Sequence, residues 1–246
     1  MKKFPTFLLL AGALLFPSLL SAANFEGKVT MQMKPAKGDP IPVNYSIKEG
    51  YARMDMTGKD KKGNTGMGAV IFDLRKQEMI ILMEGGGRGE KMYMVRPMPK
   101  PDETQQQAKQ SKVSFEKSGV TEKILGYNCE KYIVKSEDHP STVSEVWVTD
   151  QLGNFMGMNP GAGGNPMARG RSSNAEAQAW EKALMGKNVF PLRTVVLKDG
   201  KEEMRMEVTS IEKQSLPDSV FIPGPEYKKF EMPNMGDMMR GMIPGR

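Results

Sequence analysis

Gly27-Lys28-Val29-Thr30-Met31-Gln32-Met33-Lys34 alternates with a period of two: Val29, Met31 and Met33 fall on one side, Lys28, Thr30 and Gln32 on the other. Successive side chains of a strand point to opposite faces, so this pattern reads as a half-buried strand. The alternation recurs outward from there. Ile41, Val43, Tyr45 and Ile47 share a face before the turn Glu49-Gly50, and Ala52, Met54 and Met56 then oppose Tyr51, Arg53 and Asp55. After a Gly85-Gly86-Gly87 loop, Met92 and Met94 alternate with Lys91, Tyr93 and Val95. Further strands are predicted at Val113 to Lys117, Thr121 to Ile124, Asn128 to Lys135, Val143 to Thr149 and Leu192 to Leu197. Asp199-Gly200 is a favoured hairpin turn, beyond which Met204, Met206 and Val208 oppose Arg205, Glu207 and Thr209.

Two runs, Ala69 to Phe72 and Met79 to Met83, are apolar without alternation and are expected in the sheet centre, covered on both faces. Pro97 to Lys112 reads as a loop or short exposed helix, and the Gly-, Asn- and Pro-rich stretch Gly153 to Gly170 as a loop. One helix is predicted. Ser173 to Glu176 fits a capping box, Ala175 to Met185 follows in strong helix formers, Gly186 stops it, and Trp180 and Leu184 are spaced to grip one surface. The expected fold is mainly β (α+β): a large antiparallel sheet of about ten strands, curved because sheets that wide twist or curl, with one or two helices.

The start of the chain has another character. Met1-Lys2-Lys3 precedes an apolar run from Phe4 to Leu20 and the small residues Ser21-Ala22-Ala23, the layout of a cleaved secretory signal peptide. The expected organisation is a signal peptide over 1–23, one β domain over 24–230 and a Met-rich tail over 231–246. Export through that signal is expected to leave the protein in the periplasm, or outside the cell, and no later segment is long enough to span a membrane. Removing residues 1–23 leaves 223 residues with net charge +4, interspersed with acids as in Lys201-Glu202-Glu203. Nucleic-acid binding calls for clustered basic residues with stacking aromatics, and none occur.

Catalysis finds little support. With one Cys and one His in 246 residues, a disulfide framework and Cys- or His-rich metal sites are excluded. Cys129 lies in a strand-like segment and reads as a buried free thiol, whereas His139 falls in the polar turn Ser136 to Ser141. Carboxylate pairs such as Glu202/Glu203 are chain neighbours that point apart, and the Gly85 to Gly89 loop lacks the helix, Lys and Ser/Thr of a phosphate loop. The reading is a non-enzymatic protein without cofactor or metal.

The unusual count is 22 Met against 15 Leu. Met31/Met33, Met54/Met56, Met92/Met94 and Met204/Met206 each share a strand face, about 6.6 Å apart along the strand. One reading is an ordinary core built with Met. Another is an adaptable lining, since Met is unbranched and polarizable and recurs at promiscuous binding surfaces. On the second reading, Met31, Met33, Met54, Met56, Met79, Ile81, Met83, Met92, Met94, Met204 and Met206 receive an acyl chain or other hydrophobic ligand. A third is Cu(I) binding by thioethers, with Met232, Met235, Met238, Met239 and Met242 closely spaced in the tail. A fourth is a protein-interaction or sensor module of the cell envelope.

Gly126-Tyr127-Asn128-Cys129-Glu130-Lys131-Tyr132, within Thr121 to Tyr132, resembles the Gly-Tyr-x-Cys-x-x-Tyr centre of the bacterial domain-of-unknown-function family 4412. Phe25-Glu26-Gly27, Glu145-Val146-Trp147-Val148-Thr149, Phe190-Pro191-Leu192-Arg193 and Leu216-Pro217-Asp218-Ser219-Val220-Phe221 follow in the matching order, so the resemblance covers most of residues 25–230. That family is similar to the outer-membrane lipoprotein carriers and their docking lipoprotein. The resemblance implies an unclosed barrel with helices over a hydrophobic concave face, and a lipid-like ligand or lipidated protein as partner.

Overall fold

The computed structural model describes residues 25–59, 65–84, 90–98, 112–156, 179–184 and 187–231. Among them one sheet of twelve strands carries the fold. Its first meander comprises β1 (Gly27–Pro35), β2 (Ile41–Lys48), β3 (Tyr51–Lys59), β4 (Thr65–Asp73), β5 (Glu78–Glu84) and β6 (Lys91–Pro97). The second comprises β7 (Val113–Ile124), β8 (Tyr127–Ser136), β9 (His139–Thr149), β10 (Phe190–Lys198) and β11 (Lys201–Lys213). The short β12 (Lys228–Lys229) follows. The strand order β12-β6-β5-β4-β3-β2-β1-β11-β10-β9-β8-β7 joins the two meanders through antiparallel pairing of β1 with β11. Neither end strand pairs with the other, so the sheet stays open.

Local chemistry sets the turns. Asp199 and Gly200 both take positive φ, 50° and 75°, the two-residue geometry that matches strand twist. Leu125 and Gly126 do the same at 49° and 89°, although Leu is a poor candidate for left-handed backbone.

The face bearing Met31 and Met54, here the inner face, holds the main core, which includes Val29, Tyr45, Phe72, Leu192, Met206 and Val208. Helix α1 (Ala179–Leu184) and the segment around Phe155 cover it. Tyr45 on β2 and Phe190 on β10 are three strand spacings apart, about 14 Å if the sheet were flat. Their rings nonetheless meet at 5.6 Å, so the sheet curls around this face. Trp180 and Leu184 are both buried, as their spacing predicts. The capping box at Ser173 to Glu176, the stop at Gly186, and most of the stretches 97–112 and 153–170 lie outside the described residues.

Three expectations are corrected. Val113 to Lys117 and Thr121 to Ile124 form one strand, β7, bulged between Lys117 and Thr121, where Gly119 takes a φ of 77°. His139 does not sit in a turn; it opens β9, half-buried and paired with Ser136, while Glu137-Asp138 make the turn. The doubly apolar strands β4 and β5 are not at the sheet centre but fourth and third, respectively, from the β12 end.

Their second apolar face has a different cover. After β11 the chain forms a strap that crosses the outer face. Leu216 N–H donates to Glu26 Oε1 at 2.6 Å, Lys48 Nζ to Leu216 O at 2.8 Å and Arg53 Nη1 to Val220 O at 2.9 Å. A single 3-10 turn (Asp218–Phe221) drops Phe221 onto Tyr51 with ring centroids 5.3 Å apart. Leu216 and Phe221 complete a second core with Ala69, Ile71 and Leu82. The strap ends as β12 alongside β6, where Phe230 N–H donates to Tyr93 O at 2.7 Å.

Candidate functional site: a methionine-lined sheet face

Residues directly opposite one another on paired strands share a face, so the register shows what the sheet brings together. Met33 lies opposite Met206, and Pro35 opposite Met204. Met31 lies opposite Val43, which in turn faces Met56, while Tyr45 faces Met54. Met54 continues through Val70 to Ile81 and Met94; Met56 continues through Gly68 to Met83 and Met92. Phe72 faces Met79. All eleven residues singled out from the sequence therefore project from the same, inner face.

Their burial divides them. Met31, Met54 and Met206 have 0% exposure and Met79 is buried, so these four are packed core. Met33, Met56, Ile81 and Met204 are half-buried and lean on that core. Met83, Met92 and Met94 are half-buried towards the β6 side. Gly68 interrupts the row between Met56 and Met83; a Cβ there would come no nearer than 3.9 Å to the Leu82 carbonyl oxygen, so its absence leaves a dip. The result is a tightly packed floor beneath α1 that grades into flexible thioethers.

Above that floor, Phe155 stacks on Trp180 at 5.4 Å and meets Phe190 edge-on at 5.6 Å. Burial holds the Tyr45 phenol well above its ordinary pKa, and the carboxylate of Glu181 on α1 pushes the same way, so Tyr45 stays neutral. Sequence reasoning missed the unpartnered buried polar atoms. Thr194 Oγ1, Thr142 Oγ1 and Trp180 Nε1 on the inner side, and Trp147 Nε1 on the outer face, are buried with no hydrogen-bond partner among the described residues. Nothing in the sequence marks them, because each belongs to an otherwise ordinary strand or helix.

None of the eleven residues lines either of the following two cavities beside the face. One of about 690 Å³ opens at the end near Ile47 and Ala52, bounded by Phe25, Leu152, Lys48 and Asp150. The other, of about 710 Å³, lies along β7–β9 among Glu122, Glu130 and Tyr132. Cys129 borders the second but is itself buried, and burial pushes its thiol up to about 11. Its Sγ donates to Tyr127 O at 3.6 Å. His139 pairs with Ser136, seven residues along β8 from Cys129, or roughly 23 Å at strand rise. The thiol thus has neither a low pKa nor the imidazole as a base. Among the described residues no group of three or more His, Cys, Asp or Glu is placed to hold a metal ion. The tail residues Met232 to Met242 lie outside the described residues.

The family model Domain of unknown function (DUF4412) matches residues 25–227. The chain belongs to the DUF4412 family. Cys129 is a buried free thiol within this DUF4412 domain. No curated protein matches the chain. Among solved structures it is similar to an uncharacterized conserved protein from Thermus thermophilus, with TM-score 0.44 and 10% identity, covering 85% of this chain and 93% of that one. It is also similar to MucB (TM-score 0.42, 12% identity, 83% and 60% covered). A third is the MucA/MucB complex of Pseudomonas aeruginosa (TM-score 0.44, 10% identity, 83% and 58% covered). The chain therefore spans under two thirds of those MucB chains. No helix among the described residues is long and apolar enough to cross a membrane.

Proposed function

We propose that this DUF4412 protein is an exported, non-catalytic binding module of the cell envelope that takes an acyl chain or other hydrophobic ligand on its inner face. The supporting observation is the shared face of the eleven residues, seven of them half-buried and six of those methionines. Long unbranched side chains re-pack around ligands of varying shape, whereas Leu or Ile would fix one shape. Each methylene taken from water contributes about 0.8 kcal/mol, so a ten-carbon chain gains several kcal/mol after ordering losses. The partner is a lipid or a lipidated protein that presents such a chain.

Native mass spectrometry of protein purified from its own periplasm tests this. A bound lipid mass on the folded chain is the expected result. Bound copper with no lipid would replace the reading with thioether chemistry, and a bare chain together with failure to bind acyl probes would leave the methionines as core.

A further inference from the structure

Thr194, like Ser144 and Thr142 on β9, is a buried polar residue on the face that carries the methionines, and it is the one that lies directly opposite Met206. It lies on β10 opposite Met206 and Val146, and Met206 in turn lies opposite Met33. Thr194 is fully buried, and its hydroxyl has no partner among the described residues. Trp180, on the helix that covers the same core, is also fully buried with its indole N–H unpartnered among them. Trp147, by contrast, belongs to the outer face, between Lys131 and Arg193.

A buried polar group without a partner is destabilising, and Val would fill the Thr194 site with the same shape. The indole can only donate, whereas a hydroxyl can donate or accept, so a group able to satisfy both is an acceptor. Along its row the register places Met206 and Met33 on one side of Thr194 and Val146, Tyr132 and Lys117 on the other, and Lys117 already pairs with Glu130 at 2.8 Å rather than standing ready for a ligand carboxylate. A neutral carbonyl oxygen meets these requirements. Admitting it requires the half-buried Met33 to swing aside and the packed Met206 beneath it to repack, changes for which unbranched thioethers are better suited than branched side chains.

We propose that the ligand of the inner face is an acyl chain bearing a neutral carbonyl, an ester or an amide, and that Thr194 donates a hydrogen bond to its oxygen. This rests on the hydrophobic-ligand reading above. Trp180 supplies a second donor from the covering helix. The class is shared by acyl esters of lipids and amide-linked acyl groups of lipidated polypeptides.

The test compares Thr194→Val with wild type, using dodecane, methyl laurate and N-methyl lauramide to displace a fluorescent acyl probe. Wild type is expected to prefer the carbonyl ligands. Thr194→Val lowers affinity for them about five- to tenfold and leaves dodecane unchanged. Thr194→Ser, which keeps the hydroxyl, retains the preference. In the ligand-free protein Thr194→Val raises the thermal midpoint by about 2–4 °C, because an unpaired hydroxyl is removed. A loss confined to the ester points to a lipid, one confined to the amide to an acylated polypeptide, and either supports the proposal. Unchanged affinities for all three ligands would overturn it while leaving hydrophobic binding intact, as would a lowered midpoint in the free protein. If wild type binds none of the three, dodecane included, the broader reading fails and this one with it.

Discussion

Replacing Phe221 by Ala removes the anchor by which the strap holds the outer face. Phe221 is 2% exposed, stacks on Tyr51 at 5.3 Å, and closes a core with Ala69, Ile71, Leu82 and Leu216. Truncating a buried Phe costs about 3–5 kcal/mol, depending on how far the site collapses. The strap is held at one edge of this small core by side-chain bonds, so it can relax, and the low end applies: about 3 kcal/mol. For a domain of this size that lowers the thermal midpoint by about 6–12 °C. Ile222→Ala is the control, since Ile222 is 56% exposed and its truncation should stay within about 0.5 kcal/mol. Limited trypsin digestion reads the same event locally, because Lys228 and Lys229 form β12 and become cleavable when it leaves β6. A Phe221→Ala midpoint indistinguishable from that of Ile222→Ala, with β12 still protected, would refute the assignment of the strap as the cover of β4 and β5.

Other outcomes follow from single contacts. Cys129, buried with its thiol near 11, should be about 0.1% thiolate at pH 8 and react with thiol reagents only after denaturation; rapid native labelling would contradict its burial. The Tyr227 hydroxyl bonds the Glu84 carboxylate, and that bond is the main cause holding Glu84 below its ordinary value of 4.5. Its contribution is present above pH 4.5 and lost as pH falls through the lowered value. Burial first, then Glu84, raises Tyr227 to about 12, so the neutral phenol's contribution is complete below pH 10 and lost as pH rises towards 12. Strap proteolysis should therefore increase at both limits, and Tyr227→Phe should abolish the alkaline one. Gly27→Ala should weaken β1–β11 pairing, since a Cβ there would run into the Glu212 carbonyl; a circular-dichroism melt checks for the lowered midpoint.

The strands were legible where one face is wet. Val29, Met31 and Met33 against Lys28, Thr30 and Gln32 announce both the strand and its buried side, and the sheet keeps that side inward. Legibility failed where long-range packing decides. Ile71 and Leu82 are apolar on the outer face because Leu216 and Phe221, distant in sequence, lie over them. The β7 bulge and the left-handed Leu125 arise from backbone adjustments that carry no side-chain periodicity. At the candidate site, pattern alone identified the shared face but not its gradient: Met54 and Met56 look equivalent in the chain, yet only Met54 is sealed beneath the core. Thr194 was invisible for a related reason, since Thr is common in strands and its missing partner shows only when its surroundings are assembled.

The central claim is that the half-buried methionines receive an apolar ligand, and Met56→Glu combined with Met94→Glu tests it most directly. Both side chains lie on the inner face outside the sealed floor, so the sheet tolerates them better than changes at Met31 or Met54. Carboxylates there resist desolvation and repel an acyl chain. With strand content first verified by circular dichroism, the wild type should retain a fluorescent acyl probe, the double variant should lose it, and a chain lacking residues 232–246 should keep it. Equal probe retention by a folded double variant, or loss on tail deletion alone, would contradict the account.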